Sequence, residues 1–269
     1  MNAETTPAGY DDIRACLAEA DPAAKSAAVM ALWARVETAG FDPVLPAAPV
    51  DRAPPGRPER PELVDPRKVP RRRLGSDAGR AALVHAIAHI EFNAINLALD
   101  AAWRFRDMPD GFATDWLSVA WDEARHFTML AERLAQLGHA YGDFPAHNGL
   151  WQMAERTMDD PLERMALVPR VLEARGLDVT PGMIERLREA GDEETIAALE
   201  VILEEEVRHV EIGSRWFEWC CRQVGVDPES TFLELLHTKF AGRVKGPFNV
   251  PARMRAGFTE RELAALEHA

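Results

Sequence analysis

Two stretches of the chain carry a carboxylate and an imidazole three residues apart: Glu123-Ala124-Arg125-His126 and Glu206-Val207-Arg208-His209. On a helix that spacing puts both groups on one face, so each pair can aim two donors at one point. Glutamate and histidine without thiolate suit iron or manganese. A third match, Glu234-Leu235-Leu236-His237, tempers the signal. The chain has 26 Glu and 8 His, and chance placement at that abundance yields roughly one such match.

What separates the first two matches is an upstream glutamate. Glu91 stands 32 residues before Glu123, and Glu173 stands 33 before Glu206. The matching positions before Glu234 are Val201 and Ile202, so that pair reads as structure or surface. A turn near Pro109 lies 18 residues after Glu91 and 14 before Glu123. In an antiparallel hairpin the two glutamates then differ in height by about four residues, roughly 6 Å. A turn near Gly191 repeats the arithmetic, 18 residues after Glu173 and 15 before Glu206. Two hairpins, each giving Glu and Glu-x-x-His, make the donor set of a dinuclear carboxylate centre in a four-helix bundle. The expected ligands are Glu91, Glu123, His126, Glu173, Glu206 and His209, with Glu155 and Glu163 as rivals to Glu173. Glu91 has Ile87, Ala88, Ala94 and Ile95 as helical neighbours. A carboxylate on such a stripe is costly to bury unless paired or metal-bound. The competing reading of the six is a buried ion-pair network with Arg125, Arg175 and Arg208.

Helices must carry these residues, and the punctuation supplies them. Residues 11–39 read as one or two helices, with Asp21-Pro22 as a start and Gly40 as a stop. Nine of the nineteen prolines fall between Pro43 and Pro70, which excludes helix and central strand there. That stretch reads as an extended arm across the main domain or as a linker, and it ends in the basic run Arg67, Lys68, Arg71, Arg72 and Arg73. Ser76 and Asp77 cap a helix to about Arg106, and a second helix spans about 113–137. Helical signal returns over 150–174, with Pro161 and Pro169 as interruptions. Gly176, Pro181 and Gly182 predict a further break. Gly191-Asp192 opens a long helix to about Gln223, and short helices follow near 230–240 and 259–267. No strand-like alternation occurs, so the expected fold is all-α, with residues 1–74 packed as helices and arm on a bundle over 75–269.

Several of these stretches resemble bacterial ferritin-like proteins of domain-of-unknown-function family 455. They are His89-Ile90-Glu91, Asp122 to His126, Leu172 to Asp178 and Glu205 to Val210. The tail motif Lys245-Gly246-Pro247-Phe248-Asn249, with Ala252-Arg253 and Ala256-Gly257-Phe258, is similar to that family's C-terminal signature. The resemblance implies a ferritin-like four-helix bundle with a di-metal centre and leaves the substrate open. A more distant similarity, in the ligand pattern alone, is to tRNA hydroxylases of the same superfamily.

The expected cofactor is a pair of metal ions, iron first, with manganese or a mixed Mn/Fe pair as alternatives. Two ferrous ions give dioxygen electrons in pairs, which points to an oxygen-dependent oxidoreductase or hydroxylase acting on a small molecule or a modified base, its electron donor unidentified. The alternative is a non-catalytic metal-binding or iron-handling protein. Asp115, Asp122 and Glu205 are the residues expected to orient the ligands. The only tyrosines are Tyr10 and Tyr141, neither on a proposed metal helix, which argues against a tyrosyl radical. Trp116 and Trp216 fall on the metal-bearing faces and read as core packing. His89 should point away from Glu91, and His85 should come nearer to it.

Composition bounds the rest. The chain has 269 residues and a formal charge of −13, a poor default for binding nucleic acid or anionic membrane. Cys16, Cys220 and Cys221 have neither disulfide nor zinc spacing and suggest a reducing cytoplasm. No apolar run spans a bilayer and no secretory signal is visible, so a cytoplasmic monomer or homodimer is expected.

Overall fold

The computed structural model describes residues 6–69, 74–240 and 244–268. Among them the structure is all-helical, with only isolated bridges, Ala8 to Phe41 and Leu63 to Ala146, outside the helices. Arg71, Arg72 and Arg73 of the basic run lie outside the described residues. The chain divides into two compact units, one up to Gly149 and one from Leu150.

In the first unit, α1 (Tyr10–Ala18) and α2 (Pro22–Ala39) precede the arm. Asp21 caps α2 through Ala24 N–H at 2.8 Å, and Gly40 ends it at φ 85°. The long helices α3 (Asp77–Arg104) and α4 (Gly111–Gln136) pack along each other, with α1 against α3 and α2 against α4. Ser76 caps α3 through Gly79 N–H at 3.2 Å. By length and composition α3 is apolar enough to cross a membrane, yet 78% of that window is buried inside the protein.

The arm is extended and tied down at both ends. Gly56 N–H donates to Leu17 O at 2.8 Å, and a Cβ at Gly56 would lie 2.1 Å from Ala18 O, so only glycine fits. The Lys25 ammonium, fully buried, donates to Leu17 O, to Gly56 O and to Asn96 Oδ1. Further on, Ala146 N–H donates to Glu62 O at 3.0 Å and Val64 N–H to Ala146 O at 2.8 Å.

The second unit holds α5 (Gly149–Arg156), which begins at the boundary, then α6 (Pro161–Leu167). A π-helical segment, Val168–Glu173, runs directly into α7 (Ala174–Ala190), and α8 (Glu193–Val224) packs back on α7. The break expected at Gly176, Pro181 and Gly182 is absent: α7 passes through all three. Proline 181 leaves the Leu177 carbonyl without its helical donor. Asn249 Nδ2–H supplies one instead, at 3.1 Å. Asn249 also caps α10 (Val250–Arg255), a helix the sequence reading missed inside the tail motif.

The tail, with α9 (Pro228–Lys239) and α11 (Glu260–His268), is bound by buried charge. Arg253 donates to both Asp178 oxygens at 2.9 and 2.8 Å, and Arg170 to both Glu262 oxygens at 2.9 and 2.8 Å. The Arg170 guanidinium also lies over Phe217, Phe232 and Phe258. Arg170 belongs to the π segment, so α11 clamps the turn that carries Glu173.

Candidate metal centre

In the first unit, α3 and α4 bring Glu91, Glu123 and His126 together. His126 Nδ1 lies 3.3 Å from Glu91 Oε2 and 3.4 Å from Glu123 Oε2. One donor atom from each of the three falls within 4.8 Å of the others. All three are buried, with relative exposures of 5%, 1% and 0%. The stripe expected around Glu91 is indeed apolar and buried: Ile87, Ala88, Ala94 and Ile95.

Burial, then the neighbouring Glu123 charge, pushes Glu91 well above the usual carboxylate range. Burial alone would lower His126, but hydrogen bonds and charge from Glu123 and Glu91 outweigh it and hold the imidazole up to about 10. Two carboxylates and an imidazole crowded out of water fit a divalent cation, which would satisfy all three at once.

In the second unit, α8 places His209 Nδ1 3.1 Å from Glu206 Oε2, both residues buried. Glu173 is also buried, at the end of the π segment, and one turn later Gly176 faces Glu206. A Cβ on Gly176 would lie 3.8 Å from Glu206 Cγ. Among the described residues Glu173 is not part of a three-donor cluster of that tightness. At Gly213, one turn past His209, α8 comes so close to the π segment that a Cβ would lie 2.4 Å from Pro169.

The rivals to Glu173 have other work. Glu155 accepts from Trp151 Nε1–H at 3.0 Å and is exposed, and Glu163 pairs with Lys239 at 3.0 Å. Glu234 and His237 are exposed, as the sequence indicated. Of the arginines that could have made an ion-pair network, Arg125 pairs with Asp122 at 2.8 Å and lies over Trp121. Arg175 lies 3.8 Å from Asp178, and Arg208 is exposed. Asp122 therefore holds an arginine, a role the sequence did not suggest. Trp116 and Trp216 are buried, consistent with core packing.

The two histidines near Glu91 serve the 139–149 connection. His89 Nδ1 accepts from the Tyr141 hydroxyl at 2.9 Å, and its Nε2–H donates to His147 O at 3.0 Å. His85 does not approach Glu91: its Nε2 accepts from Gly142 N–H at 2.9 Å and its ring stacks on Tyr141. Burial lowers both imidazoles to about 4 and keeps them neutral. Residues that hold a loop in this way carry no spacing signal, because their partners lie 52 to 58 positions away.

The sequence profile described as "Protein of unknown function (DUF455)" matches residues 18–264. The chain is also similar to an uncharacterized protein of Haemophilus influenzae, 50% identical over 213 residues that cover 77% of this chain and 74% of the relative. No solved structure matches.

Proposed function

The chain belongs to the DUF455 family, and we propose that it is a ferritin-like dinuclear metal protein acting as an oxygen-dependent oxidoreductase on a small molecule. In this reading α3, α4, α7 and α8 form the four-helix bundle. Glu91, Glu123, His126, Glu173, Glu206 and His209 hold two ions, iron first and manganese or a mixed pair otherwise. The observation that carries the proposal is the packing of two buried carboxylates within 3.4 Å of the buried His126 Nδ1. Without an ion this arrangement costs free energy, because a carboxyl and an imidazole are held out of water and away from their ordinary protonation states.

When bound, a reduced iron pair supplies two electrons to dioxygen. The chain's own part is to bind, orient and keep water away. Glu91 and Glu123 offset cationic charge from adjacent helices, and His126 adds a neutral nitrogen donor once it gives up its proton. Ile95, Ala88 and Ala124, all fully buried, keep the triad's surroundings dry. The Tyr141 hydroxyl donates to His89, on the side of α3 turned away from Glu91.

The second reading is metal binding without catalysis. The cavity lined by α3 residues His89, Phe92 and Asn93 lies on another side of α3 from Glu91 and bears on neither reading. Anaerobic loading with ferrous iron, elemental analysis and stopped-flow absorbance on mixing with oxygen separate the readings. Two irons per chain and a transient visible band are expected. Two irons that do not react with oxygen would leave metal handling, and no bound metal would remove both.

A further inference from the structure

A cavity of about 360 Å³ lies in the first unit between the arm and the outer face of α3. That volume is at the low end of small-molecule sites, roughly 300–1,000 Å³. Its floor includes Phe92, His89 and Asn93. These sit about 100° to 160° around the helix from Glu91, so the cavity is separate from the candidate metal centre. Its roof is the arm from Arg57 to Leu63. Both ends of that roof are fixed by the backbone hydrogen bonds at Gly56 and at Glu62–Val64, so the space is built into the fold.

The walls specify a chemistry. Phe92 and Tyr141 offer aromatic surface, and Pro58 and Pro61 face the same space from the arm. Surfaces of that kind favour a planar apolar body. The polar wall is already satisfied and neutral: Tyr141 O–H donates to His89, and His89 donates onward to His147 O. One lining group carries positive charge, the half-buried Arg57. Its Nη1–H donates to Asn148 Oδ1 at 2.8 Å, a neutral amide, and among the described residues no carboxylate pairs with it. A guanidinium in that state is matched by a carboxylate, which accepts two parallel hydrogen bonds from it. Glu59 and Glu62, exposed at the rim, repel a second negative charge.

We propose that this arm-roofed cavity is a binding site for a small planar monocarboxylate, its carboxylate on Arg57 and its ring between the prolines of the arm and Phe92 and Tyr141. The site does not depend on the metal centre, and a ligand here would brace the arm against α3.

Calorimetric titration of the full chain with benzoate, benzamide and phthalate tests it. Benzoate should bind at least about tenfold tighter than uncharged benzamide, the scale of one charge-assisted contact. Arg57→Gln keeps an amide beside Asn148 and should erase that preference while metal content stays unchanged. In Glu59→Gln/Glu62→Gln, phthalate should gain more affinity than benzoate, because it carries twice the charge past the rim. Equal binding of benzoate and benzamide by the native chain, no benzoate binding at millimolar concentration, or an unchanged phthalate-to-benzoate ratio in the rim variant would each overturn the proposal. So would an Arg57→Gln chain that still prefers benzoate.

Discussion

Loading the Glu91, Glu123 and His126 triad with a divalent ion should expel at least about one proton, a count that follows from the buried imidazole. Held up to about 10, His126 carries a proton at neutral pH, while burial and the neighbouring Glu123 charge hold Glu91 well above the usual carboxylate range. An ion that takes the His126 nitrogen must displace that proton. The apo form binds the extra proton, so metal affinity must rise with pH. The slope is about tenfold per pH unit, or roughly 1.4 kcal/mol, while His126 remains protonated, and any proton that Glu91 gives up adds to it. Calorimetry with manganese(II), which resists oxidation, in buffers of different ionisation enthalpy reads the protons released. At least about one per chain is expected, and His126→Asn should lower the count by about one, since an amide does not titrate there. Affinity flat between about pH 6.5 and 8, with release near zero, would refute the protonation reasoning and the ion-binding role of the triad together.

Two further outcomes concern the elements that position the site. Breaking the Arg170 to Glu262 pair with Glu262→Gln leaves a guanidinium buried among three phenyl rings. It should cost about 3–5 kcal/mol in denaturant unfolding, and a loss below about 1 kcal/mol would show that the clamp on the π segment is slack. Burial lowers Lys25 to about 7. With an unfolded value near 10.5, its contribution to stability is present above that pH and is lost as pH falls through the folded value. The native chain should therefore gain stability over Lys25→Met by about 1.4 kcal/mol per unit as pH rises between roughly 7 and 10, and parallel pH profiles would contradict this.

How much of this was legible in the sequence depended on whether the signal was local. The helix starts at Asp21-Pro22, Ser76 and Asp192 lie where the sequence put them, because a capping side chain and its backbone donor are three residues apart. The grouping of Glu91, Glu123 and His126 was equally legible, since the three share a hairpin whose turn is marked by Pro109 and Gly111. Local rules failed where a distant segment changed the outcome. Pro181 reads as a helix break until Asn249, 68 residues on, offers its amide to the carbonyl that the proline leaves bare. The arm reads equally well as a linker until Lys25 and Gly56 are seen to fix it.

Glu173 shows the same limit inside the proposed site. Helical counting assumes 3.6 residues per turn, and the π segment takes up more than that between Val168 and Glu173. Phase carried across it from Pro161 does not fix the face on which Glu173 lies, and its place among the ligands rests instead on its spacing to Glu206. The segment exists in a context that sequence spacing does not record: Pro169 packs into the space left by Gly213, and Arg170 is held by Ser214 and by Glu262, 92 residues away. A side chain on Gly213 would push that wall outward, and release of Arg170 would free the turn to revert to an α-helix. Either change would rotate Glu173 without touching a residue that spacing had marked as a ligand. The sixth position of the proposed centre is thus set by the C-terminal helix and by one glycine, and a search for ligands by motif alone passes over both.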